Sequence, residues 1–212
     1  MAKVKKRKVK KSLLFIILLI IIIVIVVICF KKLSGKKSTL TNQVEVVDTI
    51  DNFDYQLNDN ETKYYNELFS SLKELLSRDN YDEEEYATLI GQLFLADFYD
   101  LDSKVMKSDV GGTQFVYSEY RSDFELGAID TVYKFVESNV YGDRKQDLPV
   151  VKSVEKSNIT TDNYKSNMVS DKEAYYLTMS ISYSKDLGYP NSVLLVLVHN
   201  GDKLEIVSME TK

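Results

Sequence analysis

The sequence is poor in the residues that most often build small chemical sites, with one cysteine, one histidine and no tryptophan. Cys29 lies within a long apolar run, so the rest of the chain has no disulfides and depends on a packed core for its stability. Because His199 is the only imidazole and no thiol follows residue 29, the ligands of an ordinary zinc site are missing. A Ser-His-Asp triad would have to use His199, and no nucleophile-elbow motif accompanies it.

The longest apolar run covers residues 13–30, LLFIILLIIIIVIVVICF, which contain no charge, proline or glycine. A helix of these 18 residues would be roughly 27 Å long, close to the ~30 Å thickness of the bilayer's hydrocarbon core. Such a helix satisfies its own backbone in lipid, where no water competes for the peptide groups. The run therefore predicts a transmembrane helix.

The two flanks of this run differ in positive charge. Four lysines follow it, at positions 31, 32, 36 and 37, whereas the shorter leading segment carries seven basic residues: Lys3, Lys5, Lys6, Arg7, Lys8, Lys10 and Lys11. The positive-inside rule then favours a cytoplasmic tail at residues 1–12 and an extracytoplasmic location for the chain beyond the span. We expect the seven basic side chains to attract the anionic inner leaflet.

Two other interpretations of the N-terminal region are possible, a cleaved signal peptide and a lipoprotein anchor at Cys29. The apolar run is longer than a usual signal-peptide core, and Ile28, Cys29 and Phe30 offer no small-residue cleavage site. A lipoprotein signal requires a small residue before the cysteine, where this chain has Ile28. We therefore interpret Cys29 as an apolar residue of the membrane span.

Charge is distributed very unevenly between the two parts of the chain. The first acidic residue is Glu45, and residues 38–212 hold 16 basic and 32 acidic groups, a net charge of −16. An acidic exterior of this kind suits a soluble domain and argues against direct binding of nucleic acid, which needs a basic surface.

Residues 31–60 are predicted to be a stalk, because they show no sustained periodicity apart from a possible short strand or helix at residues 44–50. From residue 61 the apolar residues recur at three- and four-residue steps, which predicts helices over residues 61–78, 82–99 and 122–139. Asp82 with Glu85, and Ser122 with Glu125, match the capping-box spacing at a helix start. The third helix is expected to bury the stripe Phe124, Ala128, Ile129, Val132, Tyr133, Phe135 and Val136.

After residue 142 the period changes from about 3.6 to 2, which is typical of strands. Strands are predicted at residues 150–157, 175–183, 192–199 and 203–209, with an irregular excursion at residues 164–171. Asn200-Gly201 predicts a tight hairpin turn, and the apolar strand before it is expected to be central in the sheet. Three helices followed by an antiparallel meander indicate one α+β domain over residues 61–212, with the helices on a curved four-stranded sheet.

This layout resembles the cone fold of nuclear transport factor 2, in which three helices pack into a bent four-stranded sheet. With a basic tail, one span and a stalk before it, the whole chain resembles the bitopic assembly subunit of conjugation and type IV secretion systems of bacteria. The segment ADFYDLDSKVMKSDVGGTQFV, residues 96–116, joins the second and third helices as in that family. The resemblance implies a non-catalytic scaffold that self-associates and contacts other subunits, with no cofactor. It assigns no functional residue.

The cone fold can also hold a catalytic or ligand-binding cavity, and Asp97 is the candidate residue for one. It lies four residues after Leu93, so it leans toward the apolar stripe of the second helix, where burial would raise its pKa as a general base requires. Alternatively, Asp97 pairs with Lys104 or Arg121, or lies at the edge of the stripe. A membrane-anchored regulator that signals through its short tail is a third possibility.

Three further features have plain structural interpretations. Asp130 is expected on the solvated flank of the third helix, and His199 is expected to be exposed beside the hairpin turn. Gly111-Gly112 could bind an anion through their amides, but the neighbouring Asp109 favours an ordinary turn.

Overall fold

The computed structural model describes residues 44–211. It contains three α-helices and a four-stranded antiparallel sheet, so the predicted α+β class is confirmed. The elements in chain order are β1 (Val46–Ile50), β2 (Tyr55–Asn58), α1 (Lys63–Leu76), α2 (Glu83–Phe98), α3 (Arg121–Asp130), β3 (Val151–Lys165), β4 (Ser170–Tyr183), β5 (Ser192–Asn200) and β6 (Lys203–Thr211).

The first two strands form a hairpin that belongs to the folded domain. Tyr55 and Leu57 of β2 are buried in the main core, together with Phe53 of the connecting turn. This hairpin lies inside the range predicted to be a stalk, and its buried side chains extend the packed domain to residues before the predicted boundary at residue 61. The strands have only five and four residues, too few to show a convincing period in the sequence.

Helices α1 and α2 lie where the sequence predicts them. Thr62 caps α1 by accepting a hydrogen bond from the Tyr65 amide, and Asp82 caps α2 by accepting one from the Glu84 amide. Three glutamates in the first turn of α2 add favourable charge at the positive end of the helix dipole. Helix α2 is buried over most of its length because it packs between α1 and the sheet.

The third helix is shorter than predicted. It ends at Asp130, and the Thr131 hydroxyl and the Tyr133 amide bond back to the carbonyl oxygens of Gly127 and Ala128. Beyond this point the helical spacing no longer sets which side chains face the core, so Phe135 is 76% exposed. Its predicted burial is wrong. The helix starts after Tyr120 with no side-chain cap, so the capping box predicted at Ser122 is absent from this helix start.

The sheet has the order β3-β4-β5-β6, with all neighbours antiparallel. Strands β3 and β4 are longer than predicted, and they include residues 164–165 and 170–171 of the range that was expected to be irregular. Asn200 pairs with Lys203, so the tight turn consists of Gly201, with a φ of 64°, and Asp202. Strand β5 lies inside the sheet, as predicted.

Apolar side chains pack on both faces of the sheet. The main core joins α1, α2 and the β1-β2 hairpin to the face that carries Leu177, Met179 and Leu195. A smaller cluster on other side chains of the sheet contains Ala174, Val196 and Val198.

None of the helices within residues 44–211 combines the length and the apolar character that crossing a bilayer requires. The predicted tail at residues 1–12 and the predicted membrane helix at residues 13–30 lie outside the described residues.

Candidate functional site

A polar cleft of about 310 Å³ lies beside Asp97, the residue that the sequence singles out. Four parts of the fold line it: the β1-β2 hairpin, the residues before α1, the end of α2, and the loop that follows α2. Its lining includes Gln56, Asn58, Glu61, Asp97, Lys104 and Asp109. The sequence places these residues up to about fifty positions apart, and the fold brings them together.

Asp97 is engaged through both carboxylate oxygens. One oxygen forms an ion pair with Lys104, and the other accepts a 2.6 Å hydrogen bond from the Gly112 amide. The side chains of Asp97 and Lys104 are 11% and 8% exposed, so both charges are largely removed from water. Of the alternatives left open by the sequence, the structure places Asp97 with Lys104.

The Gly111-Gly112 pair is shaped to receive this carboxylate. A Cβ atom on Gly111 would overlap the Asp97 carbonyl oxygen, and Gly112 has a φ of 75°, which a side chain disfavours. The Gly111 amide donates to the Tyr133 hydroxyl at 3.0 Å, and this hydroxyl donates to the Phe98 carbonyl oxygen at 2.7 Å. Both glycine amides therefore bind groups of the chain itself, which agrees with the structural interpretation of this turn.

The charges in the cleft shift the ionisation of two residues. Burial disfavours the charged form of Lys104, but the neighbouring Asp97 outweighs it and holds the pKa of Lys104 above its usual value. Burial, reinforced by the negative charge of Asp97, raises the pKa of Glu61 to about 8. This shift favours the protonated form of Glu61, which can donate a hydrogen bond, relative to an exposed glutamic acid.

Sequence reasoning did not identify Glu61 as part of this site. The residue lies just before Thr62, the cap of α1, and no motif distinguishes it from the other glutamates of the chain. Its unusual environment arises from burial beside Asp97 and the loop after α2, which only the fold reveals.

Other polar groups of the cleft bond to one another. The Gln114 side chain exchanges two hydrogen bonds with the Gln56 backbone, at 2.9 and 3.1 Å, and donates a third to the Tyr65 hydroxyl at 2.8 Å. These bonds fasten the β1-β2 hairpin to the helices. Chemically, the cleft offers a compensated ion pair and the carboxyl group of Glu61 to any small polar molecule that enters it.

His199 belongs to a second polar cluster at the far end of the sheet. Its ring Nδ1 lies 2.7 Å from Asp171 Oδ2, and its Nε2 lies 3.2 Å from Glu83 Oε1 at the start of α2. The Tyr175 hydroxyl donates to the other oxygen of Glu83 at 3.0 Å. The expected exposure of His199 is therefore only partial, because its side chain is 33% exposed and both ring nitrogens have carboxylate neighbours.

The remaining candidate residue stands alone, since Asp130 is exposed at the end of α3, on the solvated side that the sequence predicts. Within residues 44–211, no three histidine, cysteine or acidic side chains are grouped so that they could hold a metal ion.

The chain matches no protein-family model, no curated protein and no solved structure. No residue therefore takes its role from a relative.

Proposed function

We propose that this protein is a single-pass membrane scaffold whose folded domain lies outside the cytoplasm and orders other subunits of an envelope complex. Because the chain resembles the bitopic assembly subunit of conjugation and type IV secretion systems, we propose that this complex is a conjugation or secretion system. The domain is proposed to be a cone, with the three helices packed into a curved sheet.

The observation that carries this proposal is the apolar run at residues 13–30 together with its unequal basic flanks. A hydrocarbon-length run with more positive charge before it than after it favours one span with the folded domain outside. The acidic charge of the remaining chain fits the same arrangement, because such a domain is not attracted to the anionic inner leaflet that attracts the basic tail.

The geometry of Asp97 supports a scaffold over an enzyme. A general base needs a carboxylate that can reach a substrate proton, and its pKa must lie near the working pH. Both oxygens of Asp97 are already bound, one by Lys104 and one by the Gly112 amide. The ion pair of Asp97 and Lys104 joins the end of α2 to the loop after it, so its role is structural.

Exposed apolar side chains support contact with other proteins. Leu126, Phe135 and Tyr141 are 61%, 76% and 79% exposed, and they lie in one short stretch of the chain. Aromatic residues are enriched in protein interfaces relative to the rest of the surface. We propose this stretch as one place where another subunit of the complex binds.

The test uses the full chain in bacterial membranes. Protease added to intact cells should digest the domain while residues 1–12 stay protected, and chemical cross-linking should capture the chain with itself and with other membrane proteins. Phe135→Ser should reduce capture of the other proteins, whereas Val47→Ser, at an exposed apolar residue outside this stretch, should not. A domain protected from protease in intact cells, or a chain that stays monomeric and unlinked, would refute the proposal.

A second candidate function is the binding of a small polar molecule in the cleft, with the domain still anchored to the membrane. The observation that favours it is the polar cleft of about 310 Å³, in which the Glu61 carboxyl group lies with the buried ion pair of Asp97 and Lys104. A thermal-shift screen of small polar compounds should then find some that stabilise the wild type but not Glu61→Gln. Asp130→Asn, which changes an exposed carboxylate, should respond like the wild type. A screen without such compounds would count against this function.

A further inference from the structure

The two outer strands of the sheet differ in how far other segments of the chain cover their free edges. At β6, Val116 forms a bridge with Ile206, and the Tyr117 amide donates to the Ile206 carbonyl oxygen at 2.9 Å. Strand β3 has only β4 beside it in the part of the chain that the structure describes. An outer strand with unpaired peptide groups is a template for another strand.

The first half of β3 is protected by the domain itself. The Tyr64 hydroxyl accepts a hydrogen bond from the Val154 amide at 2.8 Å, and the Gln92 side chain donates to the Val154 carbonyl oxygen at 2.8 Å. A bulge between Lys156 and Asn158 then interrupts the regular spacing. Side-chain caps, lysines and bulges are the devices by which proteins prevent edge pairing.

The next five residues, Asn158-Ile159-Thr160-Thr161-Asp162, lack such protection. They contain three β-branched residues and no glycine or proline, and no charge precedes Asp162. The peptide groups of alternate residues in a strand point to opposite sides. The groups of Val154 point away from β4, and the register across the bulge gives Ile159 and Thr161 the same orientation. Within residues 44–211, no side chain caps these groups as Tyr64 caps Val154.

We infer that this segment, residues 158–162, pairs antiparallel with the same segment of a second copy of the chain, about a two-fold axis at Thr160. The inference rests on the proposed function, because it names the surface through which the scaffold self-associates. The two sheets would then continue into each other across the membrane-anchored dimer.

The register follows from the backbone and the charges. In an antiparallel pair, residues whose peptide groups point toward the partner strand lie opposite each other. Three registers are then possible: Ile159 opposite Ile159, Ile159 opposite Thr161, or Thr161 opposite Thr161 of the second copy. Centring on Ile159 would bring the bulge at residues 156–158 into the ladder. Centring on Thr161 would bring the two Asp162 carboxylates into diagonal contact, which like charges disfavour.

Centring on Thr160 avoids both problems. It places Ile159 opposite Thr161, Thr160 opposite itself, and Asn158 opposite Asp162, where the amide can donate to the carboxylate. The segment is also held in place before it pairs, because the Tyr120 hydroxyl bonds to Ser166 Oγ at the tip of the β3-β4 hairpin, at 2.9 Å.

Cysteine cross-linking of the full chain in bacterial membranes tests the register. With Cys29→Ser as background, Thr160→Cys should form a disulfide-linked dimer, because a non-hydrogen-bonded pair brings the two Cα atoms to about 4.5 Å. Asn158→Cys alone should not link, whereas Asn158→Cys mixed with Asp162→Cys should. Absence of the Thr160→Cys dimer, or equal linking by Asn158→Cys alone, would overturn the inference.

A backbone substitution tests the same edge without cysteine. Thr161→Pro removes an amide that points away from β4, so the domain should fold, yet the outer edge loses a hydrogen-bond donor. Thr161→Ala is the matched control because it keeps that amide. The proline variant should lose the dimer that the alanine variant retains, measured by light scattering of the purified full chain in detergent. If the proline variant fails to fold, the cysteine variants decide.

The outcomes also separate this inference from the proposed function. A chain that self-associates without forming the Thr160→Cys dimer would refute the β3 edge and leave the scaffold proposal standing. A chain that is monomeric in every assay would refute both.

Discussion

His199 and Asp171 are joined twice, through the backbone and through the side chain. One carboxylate oxygen, Asp171 Oδ2, accepts the His199 amide at 2.8 Å and lies 2.7 Å from the ring Nδ1. This pair fixes the end of β5 against the start of β4, and Glu83 on the other side of the ring extends the contact to α2. His199 is the only histidine of the chain, so its titration can be followed without interference.

The stability of the domain should therefore depend on the protonation of His199. Partial burial opposes the positive charge, but Asp171 and Glu83 outweigh it and raise the pKa of His199 above 6.5. A raised pKa contributes stability that is complete below the unfolded-state pKa and is lost as the pH rises through the folded-state pKa. The free energy of unfolding, relative to His199→Gln, should be larger at about pH 5.5 than at about pH 8.5, by up to ~1 kcal/mol for this partly exposed pair.

Two measurements check this expectation. Denaturant unfolding of both proteins across that range gives the difference in stability, and NMR titration of the single imidazole gives its pKa directly. Asp171→Asn should bring the pKa of His199 back toward 6.5. A pKa of His199 below 6.5 in the wild type, or a stability difference that does not change with pH, would contradict the prediction.

The ion pair of Asp97 and Lys104 predicts a larger loss of stability when only one partner is changed. Asp97→Asn removes the nearest counter-ion of the buried Lys104 charge, and Lys104→Met leaves the Asp97 carboxylate buried without its cation. Breaking a buried pair from one side typically costs about 3–5 kcal/mol. Each single variant should lose that much free energy of unfolding, measured by denaturant titration.

The double variant Asp97→Asn, Lys104→Met separates the charges from the packing. Because no uncompensated charge remains, it should recover a substantial part of the stability that either single variant loses. Losses that simply add would mean that the two charges do not interact and that the contact seen between them has no energetic weight.

The long periodic segments of this chain could be predicted from the sequence, because their burial repeats over many residues. Helices α1 and α2 have whole apolar faces, and β4 alternates from Tyr175 to Ile181, so both the element types and their order were predicted correctly. The prediction of the third helix was wrong at its C-terminal end. The apolar spacing continues past Asp130, so it cannot show that the chain leaves the helix there.

The candidate site was only partly predictable for a similar reason. Asp97 stood out because a carboxylate on an apolar stripe needs a partner, and Lys104 was one of the partners considered. Glu61 did not stand out, since its raised pKa depends on burial by elements distant in sequence. A short strand at residues 44–50 was considered, but β2 and its pairing with β1 were missed, because the buried residues of β2, such as Tyr55, lie in a strand too short to show a pattern.

The β1-β2 hairpin should contribute strongly to stability if it belongs to the core. Tyr55 is 1% exposed, and its hydroxyl lies 2.7 Å from that of Tyr86. Tyr55→Ala should cost about 3–5 kcal/mol, as removal of a large buried aromatic ring usually does. Val47→Ala in the same hairpin, at a residue that is 57% exposed, should stay within about 0.5 kcal/mol of the wild type. Equal effects of the two substitutions on the unfolding midpoint would mean that the hairpin behaves as a stalk.

Two glycines should respond in opposite ways to a single added methyl group. In Gly111→Ala the Cβ atom would overlap the Asp97 carbonyl oxygen, so the turn must move and the ion pair with Lys104 must loosen. Gly127 lies within α3 with nothing within 4 Å of an added Cβ, and alanine there should stabilise the helix by roughly 0.5–1 kcal/mol. Thermal unfolding should therefore give a lower midpoint for Gly111→Ala and a higher one for Gly127→Ala. A Gly111→Ala protein as stable as the wild type would show that Asp97 does not require the close approach of this turn.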